Sequence, residues 1–147
     1  MKVILEYAEE AVTPFSEEFF QEVAARTLEE CEFSFLQGKE IRLNAVSVSE
    51  EKIRELNRTY RDNDTVTDIL SFGEYADPGD LAEEAGKDIF LGELFFCSAF
   101  IAAAAKEDRV TLEREMAYIF SHGVLHLVGF DHEEAMFTIQ ERVTDFL

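Results

Sequence analysis

The sequence has no tryptophan, only two cysteines, and no hydrophobic run long enough to cross a bilayer. Cys31 and Cys97 lie far apart, and such a small number favours free thiols in a reducing compartment over a disulfide framework. The most apolar stretch, residues 89–105, is shorter than the roughly 20 residues of a membrane span, and Glu93 interrupts it. The N-terminus reaches Glu6 too early to form the core of a signal peptide. We therefore expect a cytoplasmic protein with no membrane partner.

Basic residues are also scarce. The chain has 13 lysines and arginines against 32 acidic residues, which gives a formal net charge of −19. Proteins hold phosphate groups mainly with lysine and arginine, so this composition disfavours a nucleic-acid partner in general. A partner of that class requires a local basic surface that survives the acidic surroundings.

The rest of the composition is that of a globular protein, with 47% hydrophobic residues and 14 phenylalanines in 147 residues. Alternating apolar residues predict four strands, and apolar residues at helical spacing predict five helices. The strands are predicted at residues 2–7, 40–49, 67–72 and 89–97, and the helices at 13–31, 50–61, 98–105, 111–128 and 133–147. This order predicts an α+β fold, with about five helices packed on a four-stranded mixed sheet in a single domain, residues 1–147.

Several of these boundaries carry residues that typically cap helices. Ser49, Ser98 and Thr111 stand at predicted helix starts, where a side-chain oxygen can accept bonds from the first backbone N–H groups. Gly129 is predicted to end the longest helix, because glycine readily adopts the positive φ of a helix C-terminus. Residues 73–87 contain three glycines, one proline and many acids, which predicts a long loop that is mobile, functional or both.

All three histidines fall within one stretch, SHGVLHLVGFDH, residues 121–132. His122 and His126 are four residues apart, so they share one face of the predicted helix in apolar surroundings. Gly129 allows the chain to reverse, which carries His132 back toward the other two. Two histidines on an apolar helix are usually satisfied core residues. The third histidine favours metal binding instead, and three neutral imidazoles with one open position are typical of a catalytic zinc.

The stretch HGVLHLVGFDH has the ligand spacing of the metzincin protease motif, H-E-x-x-H-x-x-G-x-x-H. The glutamate that serves those proteases as general base is replaced by Gly123. The pattern therefore predicts metal-assisted hydrolysis and disfavours a protease. Asp131, beside the third histidine, has two open interpretations. It either orients a histidine or accepts a proton, or it bonds its own backbone in a turn.

A local basic surface is predicted on the helix at residues 50–61, which holds four of the 13 basic residues. Arg54, Arg58 and Arg61 fall on one side, in a row about 10 Å long that could meet two neighbouring phosphates. The alternative is a solvated face with pairs inside the helix, such as Glu50 with Arg54. Screening acts over about 8 Å at physiological salt, so a local row can bind RNA despite the overall charge.

These segments resemble the YbeY family of bacterial endoribonucleases of ribosomal-RNA maturation. SHGVLHLVGFDH resembles the family signature H-G-x-L-H-L-x-G-[YF]-D-H. LNRTYRDNDTVTDILSF, residues 56–72, resembles its second block, and IFLGELFF resembles its L-G-D strand. Element order and length agree over nearly the whole chain. Two positions differ: Glu93 replaces the aspartate after L-G, close to the expected groove, and Gly73 replaces the proline after S-F.

The resemblance implies one Zn²⁺ per chain, held by His122, His126 and His132 in a metal-dependent hydrolase domain. It implies a role in catalysis or phosphate binding for Arg61, and Arg58 in the same row is a second candidate for RNA binding. The implied substrate is single-stranded RNA at the end of the small-subunit ribosomal RNA. The implied partners are the small ribosomal subunit and its proteins, in rRNA processing and ribosome quality control.

The leading hypothesis is therefore a zinc-dependent endoribonuclease, and two alternatives stay open. The first is a peptidase or amide hydrolase that uses the same metal, which Gly123 disfavours. The second is a non-enzymatic ribosome-assembly factor whose metal is structural, so that chelation would unfold it. The sequence also leaves open the general base, the choice between water and the RNA 2′-hydroxyl as nucleophile, and nickel, copper or iron in place of zinc.

Overall fold

The structure is a computed structural model that describes residues 1–147, with four strands, six α-helices and a 3-10 turn at Ser34–Leu36. The strands are β1 (Lys2–Glu9), β2 (Glu40–Ser47), β3 (Ile69–Gly73) and β4 (Asp88–Phe96). The helices are α1 (Glu17–Glu30), α2 (Glu50–Arg61), α3 (Pro78–Ala82), α4 (Ser98–Asp108), α5 (Leu112–Leu127) and α6 (Glu134–Thr144). The predicted α+β class and four-stranded mixed sheet are confirmed.

The sheet has the strand order β1-β2-β4-β3. β1, β2 and β4 run parallel, and β3 is antiparallel to β4 at one edge. The pairing of β2 with β4 slips between Arg42 and Asn44, where β4 has one extra residue. Gly92 lies in this bulge with φ +140°, and a Cβ there would lie 2.2 Å from the carbonyl oxygen of Phe72. Only glycine allows β3 and β4 to approach this closely.

The two faces of the sheet are covered unequally. Helix α5 lies on β3 and β4, with α1, α4 and α6 packed around it, and this face holds a core of 26 buried residues. The opposite face carries α2 and a cluster of five buried residues: Val48, Ile53, Leu56, Leu70 and Cys97. The thick layer around α5 explains why that helix is apolar on nearly every side. None of the helices is both long and apolar enough to cross a membrane.

Two predicted helix starts are confirmed and one is wrong. The Ser49 hydroxyl accepts a bond from Lys52 N at 3.1 Å, and the Thr111 hydroxyl accepts one from Arg114 N at 3.2 Å. Ser98, in contrast, is the first residue of α4, and Cys97 occupies the cap position. The Ser98 hydroxyl donates to Thr13 Oγ1 at 2.8 Å in a buried contact and accepts no bond from the backbone at the start of α4.

The segment predicted as a loop, residues 73–87, contains the short helix α3. Asp77 caps it by accepting a bond from Asp80 N at 2.9 Å, and Leu81 is fully buried in the main core. Burial of that single leucine anchors a segment whose composition is otherwise typical of a loop. The prediction of a loop without helix was therefore wrong at residues 78–82.

The reversal predicted at Gly129 is confirmed. Gly129 has φ +99°, and Phe130 N donates to Leu125 O at 3.1 Å, which closes the end of α5. A Cβ at Gly129 would lie 2.4 Å from Cα of Asp77. The end of α5 therefore packs directly on the backbone before α3, and the turn that follows is held in place from both sides.

Candidate metal centre

The three histidine rings converge at the end of α5. His122 and His126 lie one turn apart on the helix, with ring centroids 4.5 Å from each other. His132 follows the Gly129 turn with φ +48°, and its ring centroid lies 5.3 Å from that of His122 and 4.9 Å from that of His126. One nitrogen from each ring lies within 4.8 Å of the others, so the group could bind a metal ion.

The nitrogens of the two helix histidines are close enough together to bind one metal ion. Nε2 of His122 and Nε2 of His126 are 3.0 Å apart. Two imidazole nitrogens on a tetrahedral zinc are separated by about 3.3 Å when each Zn–N distance is about 2.0–2.1 Å. Nδ1 of His126 is 2.9 Å from the carbonyl oxygen of Phe130, a partner that can only accept. The proton of His126 is therefore on Nδ1, and its Nε2 keeps a free lone pair.

Burial favours the neutral form of these two rings by lowering the pKa of each. Burial is the main cause that lowers the pKa of His122, although the bond to Gln140 raises it. Burial also lowers the pKa of His126, and the neighbouring His122 lowers it further. Neutral imidazole is the form that binds a divalent metal. The donor set of three imidazole nitrogens thus fits a metal of the zinc type.

The histidines lie in a cleft of about 630 Å³ that Arg61 also lines. Arg61 Nη2 donates to the carbonyl oxygen of Ser71 at 2.7 Å, and the guanidinium lies 4.6 Å from the ring centroid of Phe72. These contacts hold Arg61 in place but use only part of its five N–H donors. The structure thus brings Arg61 and the three histidines to one cleft, although residues 61 and 122 are far apart in sequence.

Only part of the predicted row of three arginines is free to bind a phosphate at the cleft. Arg54 forms a two-point ion pair with Asp64, with distances of 2.9 and 3.4 Å, so the pair suggested with Glu50 does not form. Arg58 is exposed and outside the lining of the histidine cleft. Arg54 is the main cause that lowers the pKa of Asp64, and Arg58 contributes to the same shift. Of the row, only Arg61 meets the cleft.

The sequence did not decide the roles of two carboxylates, Asp131 and Glu93, and the structure places them in different surroundings. Asp131 lines the cleft, but its side chain makes no hydrogen bond, either to a histidine or to its own backbone. Glu93 lies on the opposite face of the sheet, in a separate pocket of about 270 Å³ beside Tyr60, Phe72 and Phe95. The expectation that Glu93 is close to the groove was wrong, because side chains alternate along β4 and Leu94 is the one that faces α5.

The packing of α5 explains the absence of the protease glutamate. A Cβ at Gly123 would lie 2.5 Å from Cδ1 of Ile69 and 3.1 Å from Cδ2 of Leu94. The Gly123 carbonyl oxygen also accepts a bond from the Ser71 hydroxyl at 3.1 Å. At this position the helix lies directly on the sheet, so any side chain would have to displace the side-chain ends of Ile69 and Leu94.

Substitution Gly123→Glu, which restores the protease motif, is expected to destabilise the fold by more than about 3 kcal/mol, because it combines overpacking with burial of a carboxylate. Urea denaturation followed by circular dichroism measures the loss. The control Gly123→Ala should cost at most about 1 kcal/mol, because the Cδ1 methyl of Ile69 can move and alanine favours the helix over glycine. Wild-type stability of the glutamate variant would contradict the close packing of α5 on the sheet.

Three groups at the site were missed by the sequence analysis. Asp68 lines the cleft, where its Oδ1 accepts a bond from Ile69 N at 2.6 Å. The Phe130 carbonyl contacts His126, and the Gln140 side chain contacts His122 at 3.3 Å. Only Gln140 could have been found from the sequence, because it is a long polar side chain within an apolar stripe on α6 that includes Met136, Ile139 and Val143.

Comparison with known proteins agrees with this geometry. The family model described as Endoribonuclease YbeY matches residues 6–147. A protein named Endoribonuclease YbeY from Ureaplasma urealyticum is 37% identical over 105 residues, which cover 68% of this chain and 63% of that relative. One from Staphylococcus aureus is 37% identical over 108 residues, which cover 69% of each. The matched region thus spans less than two thirds of the Ureaplasma relative.

The fold also has a counterpart among solved structures. The solution structure of a Thermotoga maritima protein aligns with a TM-score of 0.62 and 25% identity, over 97% of this chain and 87% of that one. The family match extends from β1 to the C-terminus and includes all three histidines. The chain belongs to the YbeY endoribonuclease family.

Proposed function

We propose that the protein is a zinc-dependent endoribonuclease that cleaves single-stranded RNA. The observation that carries the proposal is the cleft itself, where three imidazoles converge beside an arginine that keeps free N–H donors. Histidines are ligands for zinc, and arginine is the side chain best suited to hold a phosphate. A cleft with both groups suits a reaction at a phosphodiester.

His122, His126 and His132 would hold the zinc, and the three leave a position open for water or substrate. The bound metal would supply Lewis acidity for the scissile phosphate or its nucleophile. Arg61 would bind a non-bridging oxygen of the same phosphate and stabilise the charge that grows on it during cleavage. Its contacts with Ser71 and Phe72 reduce the cost of ordering it for that task.

The same features weigh against the alternatives. A peptidase of the metzincin kind needs a glutamate at position 123, where this chain has a glycine packed against Ile69 and Leu94. A purely structural zinc is usually closed by four protein ligands, whereas this group has three and lines an open cleft. An RNA hydrolase uses every one of these features, and neither alternative does.

For the substrate we propose ribosomal RNA, with action at the end of the small-subunit RNA and contact with the small ribosomal subunit. The support is the resemblance of the histidine block and of residues 56–72 to family signatures. In this role the protein would act in the cytoplasm. Its net charge of −19 would limit non-specific association with RNA and leave recognition to the local surface around Arg61.

Metal removal tests the proposal. We expect one zinc per chain by elemental analysis, loss of RNA cleavage on chelation, and recovery on addition of zinc. Circular dichroism should show that the fold survives chelation, because the core of 26 residues does not depend on the metal. Unfolding on chelation would support a structural metal, and cleavage of casein in place of RNA would support a peptidase. RNA products ending in a 2′,3′-cyclic phosphate would identify the 2′-hydroxyl as nucleophile.

A further inference from the structure

Gln140 is a polar side chain buried where α6 packs on α5. It is fully buried, and its amide has two partners. Nε2 donates to the carbonyl oxygen of Tyr118 at 3.0 Å, and Oε1 lies 3.3 Å from Nδ1 of His122. A buried amide without partners costs free energy, so both contacts matter for this position.

The contact with Tyr118 fixes the direction of the amide. A carbonyl oxygen only accepts, so the NH₂ group of Gln140 must face Tyr118. The amide oxygen then faces His122, and that oxygen also only accepts. Nδ1 of His122 must therefore carry the proton, which leaves Nε2 of the neutral ring with its lone pair free.

The same reasoning applied to His126 through the Phe130 carbonyl, so both rings present an unprotonated Nε2, and these atoms are 3.0 Å apart. Two lone pairs at this distance cannot bond to each other. A cation between them satisfies both. With the other tautomer, the Nε2 of His122 would donate to His126 and neither atom would remain free for a metal.

We propose that Gln140 is a positioning residue that holds His122 in the Nδ1–H tautomer and thereby presents its Nε2 to the metal. The proposal rests on the proposed metal-dependent function and names the side chain that prepares one of its ligands. A partner on the outer nitrogen of a histidine ligand typically contributes a factor of about 10–100 in metal affinity.

Two substitutions distinguish the effects of the two hydrogen bonds that the Gln140 amide makes. Gln140→Met keeps the length and much of the volume but removes both bonds. Gln140→Glu keeps an acceptor for His122 but places an oxygen against the Tyr118 carbonyl, so it should lose stability and retain the tautomer. Gln21 offers a matched control, because its amide bonds the backbone of Val3 at 2.7 Å and of Leu5 at 2.8 Å and contacts no histidine.

Histidine tautomers in the metal-free protein can be observed directly by two-bond ¹H–¹⁵N NMR, and zinc affinity by competition with a chromophoric chelator. Wild type is expected to show His122 as the Nδ1–H tautomer. Gln140→Met should shift it toward Nε2–H and raise the zinc Kd about 10–100-fold. Gln140→Glu should keep the tautomer and bind zinc within a few-fold of wild type, and Gln21→Met should change neither quantity.

The NMR measurement keeps this proposal distinct from the proposed function. Nε2–H on His122 in wild type would overturn the role of Gln140 even if zinc binds and RNA is cleaved, and even if Gln140→Met does not fold. The proposal would also be overturned if the Gln140→Met variant kept the Nδ1–H tautomer of His122 and bound zinc as tightly as wild type does. Failure of wild type to bind zinc, with the Nδ1–H tautomer present, would instead refute the metal-dependent function.

Discussion

Substitution His132→Asn is expected to abolish RNA cleavage and to weaken zinc binding by more than about a hundredfold. Loss of a residue that only hydrogen-bonds to a metal ligand already costs up to about a hundredfold in affinity, and His132 is proposed to be a ligand itself. His132 supplies the third nitrogen of the group and is exposed, so its removal leaves the core intact. Asparagine tolerates the left-handed backbone conformation of this residue, φ +48°, better than alanine does. Elemental analysis, chelator competition and an RNA cleavage assay measure the effect.

The neighbouring Glu133→Gln is a suitable control for that experiment. Glu133 is exposed and its side chain makes no capping bond to α6, so the change should leave zinc content, cleavage and thermal stability as in wild type. If His132→Asn retains one zinc per chain and wild-type cleavage, the three-histidine site is refuted. If it loses zinc and unfolds, the metal is structural rather than catalytic.

Substitution Arg61→Ala is expected to lower kcat for RNA cleavage about 10²–10³-fold, the loss typical for one donor to a developing oxyanion. Arg61 lines the histidine cleft, and Ser71 and Phe72 hold its guanidinium there. Since Arg61 is exposed, the fold should tolerate its removal. Zinc content should not change, because the histidines are untouched. Steady-state kinetics on a single-stranded RNA oligonucleotide gives kcat and KM separately.

Arg58→Ala is the matched comparison, one turn earlier on α2. Because Arg58 lies outside the cleft lining, its loss should raise KM a few-fold and reduce the salt dependence of binding, with kcat nearly unchanged. Arg61→Lys should recover part of the lost kcat, because it keeps the charge but not the planar fork. Equal effects of Arg58→Ala and Arg61→Ala on kcat would contradict a specific role for Arg61 at the scissile phosphate.

The features that the sequence predicted best are local in the chain. Helix starts at Ser49 and Thr111 depend on bonds over three residues, and the reversal at Gly129 depends on the conformational freedom of one glycine. Convergence of the histidines follows from helical spacing and that turn, so eleven residues contain the information. The most specific part of the family resemblance is the same compact block.

The features that were missed depend on contacts between distant segments. The strand order, the partner of Arg54 and the contact of Gln140 with His122 join parts of the chain that only the complete fold brings together. The wrong position for Glu93 has a similar origin, since the bulge at Gly92 and the arrangement of helices decide which face of β4 meets the cleft. The cap predicted at Ser98 was wrong because α4 begins one residue earlier than expected, and the Ser98 hydroxyl lies where it donates to Thr13 on a distant segment.

The contact between Gly129 and the backbone of Asp77 restricts where the protein can accept new sequence. The three residues from Glu74 to Ala76 form a fixed-length bridge between the end of β3 and the Asp77 contact with the histidine turn, so an insertion there would displace His132. Beyond Ala82 the chain is exposed except at Glu84, which is half-buried and contacts Lys39 and Tyr75, and it returns to β4 without lining the histidine cleft. Affinity tags, fluorophores or natural length variation are therefore best accommodated in the acidic stretch after α3.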